Sequence, residues 1–326
     1  MVRVLITGAT GSLARGIIPA LQARGHSPFG LVRPHSPDAV RDALACPTRS
    51  ACLSSGEGLA GALEGMDAVI HCAGGGRLIR EQNLRDNNTE TTRVLVEELR
   101  RDRQEVRRVV LTSSYAAMGS AGTGENPCLQ DEATPWSVYG RAKLAAETLV
   151  LSPENPFAAI VIRPPAIHGP DDLRLLPLFR AAQRGWAPLP HAGRTFSWIH
   201  SSDVHSAHVL ALKNGAPGRA VYAIDDGAPR SIQEILDALG KVFGRTVRRV
   251  PLPMALAWPV AWANEQRARW TQKPTLFTRD KLRDLRVPHW AADTSAIRRD
   301  LGWTPRHDLC SGFKATVHSH EKEGRL

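Results

Sequence analysis

Residues 2–15 read VRVLITGATGSLAR, and this stretch decides the fold class of the chain. A run of apolar, largely β-branched residues leads at once into a glycine-containing turn and then into a helical pattern. Gly8 and Gly11 permit a tight turn and the close approach of a pyrophosphate to the backbone. The stretch therefore predicts a strand, a phosphate loop and a helix whose N-terminus binds a dinucleotide. The loop residues expected to contact that cofactor are Gly8, Thr10, Gly11, Ser12 and Leu13.

Apolar runs alternate with helical segments through the first half of the chain. The strand-like runs are Val2–Thr7, Pro28–Arg33, Ala68–Cys72, Val106–Ser113 and Phe157–Arg163. The segments with helical character are Leu13–Arg24, Glu57–Glu64, Gln82–Arg101 and Ser137–Leu151. Such alternation predicts an α/β fold of the Rossmann type, with a doubly wound parallel sheet and right-handed crossovers.

After Pro164 the pattern loosens, and Pro-rich joints interrupt it. A strand-like run at Phe196–Ile199 and a helical run at Asp203–Leu212 then return. We expect a smaller, discontinuous C-terminal lobe that binds the substrate. The expected division gives residues 1–165 and 196–224 to the NAD(P)-binding domain, and residues 166–195 and 225–326 to the lobe.

The composition is that of a folded protein, because 42% of the 326 residues are hydrophobic and 23% are charged. The net charge of +10 comes from 35 Arg and 7 Lys that are dispersed along the chain, so we expect no nucleic-acid partner. Five cysteines without a CxxC pair favour a reducing compartment, and they indicate neither a disulfide framework nor a metal site.

The N-terminus begins directly with the first strand, which leaves no room for a signal peptide. We therefore expect a cytoplasmic protein. The uncharged stretch Pro251–Asn264 is shorter than the roughly 20 apolar residues of a spanning helix and contains Pro253 and Pro259, so we expect no integral membrane segment. This stretch either lines a pocket or touches a membrane surface.

The end of the second predicted strand distinguishes the two nicotinamide cofactors. An acid there bonds the ribose hydroxyls of NAD, whereas an arginine accommodates the 2′-phosphate of NADP. Here residues 31–34 read LVRP, and no acid occurs until Asp38. The Arg33 guanidinium suits a bidentate phosphate contact, and Arg15 is a second candidate. We expect NADP(H) to be favoured, with NAD as the alternative.

Three polar residues form a candidate catalytic group. The fifth predicted strand ends at Ser114, and Tyr139 and Lys143 lie four residues apart on one face of a predicted helix. The ammonium lowers the pKa of the phenol, which exchanges a proton with a substrate oxygen while the serine orients that oxygen. Hydride passes to or from the cofactor. Lys143 is the only lysine among the first 212 residues, so its spacing from Tyr139 is hard to attribute to chance.

With these residues the chain resembles an extended short-chain dehydrogenase/reductase of the NAD(P)-dependent epimerase/dehydratase family. The resemblance covers nearly the whole length, and it is carried further by HCAG at 71–74, RPPAIHGP at 163–170, IHSSDV at 199–204 and LGWTP at 301–305. It implies that Ser114, Tyr139 and Lys143 are catalytic and that Asn87 supports Lys143 through water. It also implies a homodimer. The cofactor contacts that it implies are Leu53, Ala73, Gly74, Tyr139, Lys143, Pro164 and Ile167.

Departures from the family pattern narrow the chemistry. Tyr115-Ala116 stands where the family's dehydratases carry an acidic pair, which disfavours water loss. Phe196 stands where nucleotide-sugar enzymes place a diphosphate-binding arginine, although Arg194 lies nearby. Cys52 replaces the usual adenine-contacting aspartate, and His168 replaces the usual tyrosine.

The branch that fits best resembles 3β-hydroxysteroid dehydrogenases and dihydroflavonol reductases. Large apolar residues are concentrated in 173–189 and 251–270, and they can form an apolar pocket. We expect an NADP(H)-preferring dehydrogenase or ketoreductase that acts on a secondary alcohol or ketone of a steroid-, polyketide- or acyl-like substrate. The alternatives are a nucleotide-sugar epimerase with tightly bound NAD, and a non-catalytic cofactor-sensing or scaffold member of the fold.

Overall fold

A computed structural model describes residues 1–326 except 77–79, 81, 102–104, 120–132, 190–192, 214, 252, 274 and 276. The strands are β1 Arg3–Thr7, β2 Ser27–Val32, β3 Thr48–Ser50, β4 Ala68–His71, β5 Arg108–Thr112, β6 Ala158–Arg163, β7 Ala166–His168, β8 Trp186–Leu189, β9 Thr195–Phe196, β10 Trp198–His200, β11 Arg219–Ala223, β12 Arg230–Ser231, β13 Arg248–Pro251 and β14 His289–Trp290. The helices are α1 Ser12–Gln22, α2 Asp38–Asp42, α3 Leu59–Leu63, α4 Gln82–Arg85, α5 Thr91–Arg101, α6 Val138–Leu151, α7 Leu176–Gln183, α8 Ser201–Leu210, α9 Ile232–Phe243, α10 Met254–Thr271, α11 Arg279–Asp284, α12 Ser295–Leu301 and α13 Leu309–Lys322. A π-helical turn, Asp86–Glu90, joins α4 to α5.

Seven strands form the main sheet, in the order β11-β6-β5-β4-β1-β2-β3. Every neighbouring pair in it is parallel. The strand order reverses direction between β1 and β4, so the loops that follow these two strands diverge and leave a crevice at the carboxyl edge. The predicted Rossmann-type doubly wound sheet is confirmed.

Both faces of the sheet are covered, which explains why its central strands are apolar throughout. On one face, Val4 and Ile6 of β1 belong to a core that includes Ile17 of α1 and Val204 of α8. On the other face, Leu5 belongs to a core formed with α3, α5 and α6. Because side chains alternate along a strand, three consecutive residues of β1 anchor both layers.

The smaller lobe has a separate core, in which Phe179, Trp198 and Phe313 pack edge to face. It is built from discontinuous pieces, since β11 returns to the edge of the main sheet beside β6. The exact division of the chain stays a prediction. α12, placed by that division in the lobe, contributes Ile297 and Leu301 to the core of the main sheet.

Four cysteines in the described part of the chain, Cys46, Cys52, Cys72 and Cys310, carry free thiols. Cys128 lies outside the described residues.

Gly8 lets the phosphate loop touch the turn after β4. Its φ is +66°, and a Cβ at this position would lie 2.8 Å from the backbone nitrogen of Ala73 and 2.9 Å from the carbonyl carbon of Cys72. Contacts this short with backbone atoms cannot be relieved by a side-chain rotation. The residue must therefore be glycine for two separate reasons, conformation and space.

We expect Gly8→Ala to destabilise the protein more than Gly25→Ala, which is its matched control. Gly25 has a similar φ of +74° and no atom within 4 Å of the added Cβ, so it isolates the conformational strain of roughly 1–2 kcal/mol. The clash at Gly8 adds to that strain, and we expect dinucleotide affinity to fall at least about tenfold in this variant alone. Urea unfolding and fluorescence titration measure the two effects. Equal losses in both variants would contradict the close contact.

Candidate active site

The carboxyl edge of the sheet carries a cradle for a dinucleotide. α1 begins after Gly11, which provides no side-chain cap, and its first turn carries no acidic residue. The free amide groups and the helix dipole therefore favour an anion at this end. Thr10 and Ser12 are exposed, and Leu13 is partly buried. These amides, together with the exposed side chains of Thr10 and Ser12, fit a dinucleotide pyrophosphate.

A buried chain of hydrogen bonds supports this cradle. The amide of Ala73 donates to Thr7 Oγ1 over 3.2 Å, and Thr7 Oγ1 lies 2.7 Å from His71 Nδ1. His71 Nε2 lies 3.0 Å from Thr92 Oγ1, which donates to the carbonyl of Asn88. Burial lowers the pKa of His71 to about 3, so the ring is neutral. Since Thr92 uses its own proton, His71 must carry its hydrogen on Nε2 and accept from Thr7.

The buried asparagine near the cradle is Asn88, which the sequence did not single out. Asn87, expected to support Lys143, is exposed on the π-helical turn, whereas Asn88 is buried. Asn88 Oδ1 accepts from the amide of Gly75 over 3.1 Å, and its amide group donates to the carbonyl oxygens of Gly75 and Leu84. The π-helical turn places this side chain beneath the turn that contains Ala73 and Gly74, the predicted ribose-contacting residues. Such turns are frequent at functional sites.

The adenosine end of the cradle lies beyond β2 and β3. These strands pair with Val32 opposite Ser50, so Arg33 and Leu53 follow neighbouring strands at the same edge. Arg33 is exposed and Leu53 is partly buried. Cys52 directly precedes Leu53, and its thiol lies 3.1 Å from Ser54 Oγ. Hydrogen bonds from Ser54 and Ser55 lower the pKa of this thiol to about 7. An exposed cation and a short polar turn thus lie at the edge of the sheet where the adenosine end of a dinucleotide is expected.

The predicted catalytic residues come together at the end of β5. Ser114 follows this strand, and its side chain hydrogen-bonds to the phenol of Tyr139. The ammonium of Lys143 lies 6.0 Å from the centroid of the Tyr139 ring. It donates to the carbonyl of Thr112 over 2.9 Å. A phenol, a hydroxyl and an ammonium therefore converge beside the phosphate loop.

The environment shifts both titrating groups of this trio. The pKa of Tyr139 is raised to about 12, mainly by burial. Arg174 and the bond from Ser114 act to lower it, and the nearby carboxylate of Asp284 acts to raise it. Burial lowers the pKa of Lys143 to about 8, an effect that the carboxylate of Glu147 opposes. The phenol is protonated near neutral pH and so can donate a proton.

A buried ion pair fixes the helix that carries Tyr139 and Lys143. Glu147 lies one turn beyond Lys143 on α6, and its carboxylate accepts two bonds from Arg163 of β6, at 2.6 Å and 2.9 Å. Ser113, which directly follows β5, donates to the same carboxylate. Glu147 and Arg163 are fully desolvated, with side-chain exposures of 0% and 3%. A bidentate pair in this geometry sets both the height and the rotation of α6 on the sheet.

The lobe holds the other end of the same helix. Asp280 of α11 accepts from the backbone amides of Val138 over 2.7 Å and Tyr139 over 3.1 Å. Ser137 accepts from the amide of Gly140 over 2.9 Å. A carboxylate at a helix N-terminus is stabilised by the helix dipole. Asp280 lies 141 residues from Tyr139, and no local sequence pattern could have identified it.

Arg174 is a further residue that the sequence did not single out. Its Nε donates to both carboxylate oxygens of Asp172, at 2.8 Å and 2.9 Å. Arg174 lines a small cleft together with Ser12, Leu13 and Ile167. Ile167 was predicted to lie beside the nicotinamide, and it is partly buried here. Pro164, the other residue of that prediction, is buried and accepts from the amide of Tyr115 over 3.0 Å.

The positions that depart from the family pattern have definite structural roles. Tyr115 is fully buried and donates to Asp225 over 3.5 Å. The Arg194 guanidinium donates to the carbonyl of Leu285. His168 is buried in the lobe, with its ring 4.9 Å from that of Phe313. The histidine therefore packs the joint between sheet and lobe.

The fold and this site define an NAD(P)-dependent oxidoreductase. The chain belongs to the NAD dependent epimerase/dehydratase family, whose sequence model matches residues 4–224. The resemblance to extended short-chain dehydrogenases is thereby confirmed.

Similar proteins include reductases and sugar-nucleotide enzymes. "Sterol demethylase protein B" of Methylococcus capsulatus is 29% identical over 319 residues, which cover 92% of this chain and 93% of that protein. The 4-hydroxy-2-methyl-3-oxo-4-farnesyl-3,4-dihydroquinoline-1-oxide ketoreductase of Stigmatella aurantiaca is 31% identical over 271 residues, 78% of each chain. The structure of MoeE5 in complex with UDP-glucuronic acid and NAD has a TM-score of 0.76 at 22% identity, over 98% of this chain and 99% of that one. The last similarity shows the fold alone.

We expect Arg174→Gln to shift the pH dependence of alcohol oxidation to higher pH. The role predicted for Tyr139 makes its phenolate the base in oxidation. Arg174 lowers the pKa of that phenol, so its loss makes the phenolate form at higher pH. The measurement is kcat/KM for alcohol oxidation up to about pH 12, because the pKa of Tyr139 is about 12. Arg141→Gln, an exposed arginine on α6, is the matched control. The same displacement in both variants, or in neither, contradicts a direct effect of Arg174 on Tyr139.

Proposed function

We propose that this protein is an NADP(H)-preferring ketoreductase or dehydrogenase of apolar secondary alcohols and ketones. The observation that carries the proposal is the convergence of Ser114, Tyr139 and Lys143 at the sheet edge, beside the phosphate loop. Family membership supports a nicotinamide-dependent redox reaction. The residues of the loop fit a dinucleotide, which supplies or accepts the hydride when it is bound.

The side chains of the trio divide the remaining chemistry among them. In reduction, the Tyr139 phenol donates its proton to the carbonyl oxygen as that oxygen gains negative charge. The Ser114 hydroxyl donates a hydrogen bond to the same oxygen and orients it. The Lys143 ammonium stabilises the phenolate that remains on Tyr139. In oxidation the proton moves in the opposite direction, from the alcohol to the phenolate.

An apolar substrate is supported by the part of the lobe that adjoins Tyr139. Ala257, Ala261 and Leu282 form an apolar cluster between α10 and α11, and partly buried Trp258 and Phe277 pack against it. α11 also carries Asp280, which caps the first turn of α6, so this cluster lies next to the trio. Two relatives named for sterol and farnesylated quinoline chemistry agree with this assignment.

A nucleotide-sugar substrate is less well supported. The side chain three positions before Ile199 is Phe196, which packs against the lobe core, and the neighbouring Arg194 is engaged by the Leu285 carbonyl. A sugar-nucleotide diphosphate would need a charge-assisted partner at this point. The similarity to MoeE5 concerns the fold and does not provide a charged partner for the diphosphate in this protein.

We expect Tyr139→Phe to lower kcat for ketone reduction at least about 100-fold, because the general acid is lost. NADPH affinity should change less than about twofold, since the phenol is not a charge partner of the phosphates. Tyr222→Phe is the matched control, because Tyr222 lies on the edge strand β11 and donates to Asp300 of α12, outside the site. The assay follows NADPH consumption with steroid, 3-oxoacyl and aromatic ketones. Retained activity of Tyr139→Phe, or turnover of UDP-glucose without net NADPH change, contradicts the proposal.

We expect Arg33→Asp to reverse the cofactor preference. The aspartate repels the 2′-phosphate of NADP and accepts bonds from the ribose hydroxyls of NAD, so the ratio of the two dissociation constants should change at least about tenfold. Arg24→Asp carries the same change of charge at an exposed position away from the cradle and is the control. Direct titration of both cofactors by calorimetry measures the ratio. If the Arg33→Asp variant still prefers NADP, Arg33 is not the residue that binds the 2′-phosphate.

A further inference from the structure

Helix α10 exposes four of its large apolar side chains, whereas Met254 and Trp258 are partly buried. Its buried residues are three alanines, Ala257, Ala261 and Ala268, together with Glu265. The exposed fractions on the opposite face are 67% for Leu256, 54% for Val260, 52% for Trp262 and 87% for Trp270. A surface helix of a globular protein normally shows the reverse distribution. Packing within the protein therefore does not explain the composition of the exposed face.

The same face is basic at its C-terminal end. Arg267 and Arg269 are exposed between Trp262 and Trp270, and exposed Lys273 follows the helix directly. The one acidic residue of α10, Glu265, is turned inward and accepts from the Arg279 guanidinium over 2.8 Å. The exposed face of α10, defined as Leu256, Val260, Trp262, Arg267, Arg269 and Trp270, thus combines apolar, aromatic and cationic groups without an acid.

We propose that the exposed face of α10 docks the protein on an anionic lipid bilayer, with its apolar side chains in the interfacial region and its arginines against the lipid phosphates. Tryptophan is favoured at the boundary between hydrocarbon and headgroups, and each Lys or Arg near an anionic surface adds attraction. The helix lies in the plane of the interface. Among the described residues, no helix is long and apolar enough to cross a membrane.

A second copy of the chain is a poorer occupant of this face. In a two-fold interface the same patch meets itself, so the arginines and Lys273 of one copy would face those of the other. Like charges brought together across an interface are unfavourable. An anionic bilayer instead supplies opposite charge along the whole face.

The docking helix is adjacent to the candidate active site. α10 packs on α11 through the cluster of Ala257, Ala261 and Leu282. α11 caps the helix of Tyr139 with Asp280. The surface that meets the bilayer is therefore one helix away from the catalytic trio. Docking itself is independent of the proposed reductase activity and can be tested without a substrate.

The test is cosedimentation of the full chain with vesicles. We expect binding to vesicles of phosphatidylcholine with phosphatidylglycerol, weak binding to phosphatidylcholine alone, and loss of binding with added salt. Trp262→Gln/Trp270→Gln should weaken the partition coefficient at least about tenfold, because two aromatic side chains no longer leave water. Trp186→Gln, an exposed tryptophan on β8, should retain binding. Leu256→Gln provides a second apolar variant if the double variant does not fold.

The charge contribution is tested by a matched pair. Arg267→Glu/Arg269→Glu should weaken binding to the anionic vesicles at least about tenfold. Arg24→Glu/Arg101→Glu has the same change in net charge at exposed positions outside α10, and it should bind nearly as the unmodified chain does. Circular dichroism verifies folding. Three outcomes overturn the proposal: no vesicle binding by the unmodified chain, equal losses in the control variants, or a dimer that the α10 variants dissociate without any vesicle binding.

Discussion

The ion pair between Glu147 and Arg163 is the constraint on which the site depends. Two opposite charges buried at 0% and 3% exposure contribute little net stability, because desolvation offsets their attraction. Removing either partner, however, would leave an unpaired buried charge that costs about 3–5 kcal/mol. The pair therefore admits one placement of α6 on β5 and β6. Lys143 lies one turn and Tyr139 two turns from Glu147, so both inherit that placement.

Close contacts and hydrogen bonds hold the remaining parts of the site at the same edge of the sheet. The phosphate loop touches the turn after β4 because Gly8 has no side chain, and His71 joins the two strand ends through Thr7. The lobe approaches from the other side, where Asp280 holds the first turn of α6. A change in the position of α11 must therefore move the amides beside Tyr139. This coupling also links the docking surface on α10 to the reaction centre.

The sequence predicted the elements that are apolar and continuous, and it missed those that are not. The predicted runs for β1, β2, β4, β5 and β6 match the observed strands closely. β3, read Thr-Arg-Ser, is short and polar, and β11 is a strand at the edge of the sheet that begins with an arginine. Neither has the apolar signal of a covered strand, because each is stabilised by one neighbour in the sheet. The segment 82–101 was expected as one helix. It contains a π-helical turn, in which Asn88 is buried and Asn87, the predicted residue, is exposed.

By itself the sequence determined the fold class, the phosphate loop and the trio of Ser114, Tyr139 and Lys143. The fold class and the loop depend on residues close together in the chain, and Tyr139 and Lys143 are four residues apart on one helix. Only the tertiary structure decided which groups surround them. Asp280 and Glu147 fix the helix of Tyr139 through contacts with distant segments. Burial raises the pKa of the phenol, and Arg174 acts to lower it. The tertiary structure also decided that the uncharged stretch beginning at Pro251 contributes to a helix, α10, that exposes Leu256, Val260 and Trp262. The direction in which a helix faces depends on what packs against it, and no local pattern contains that information.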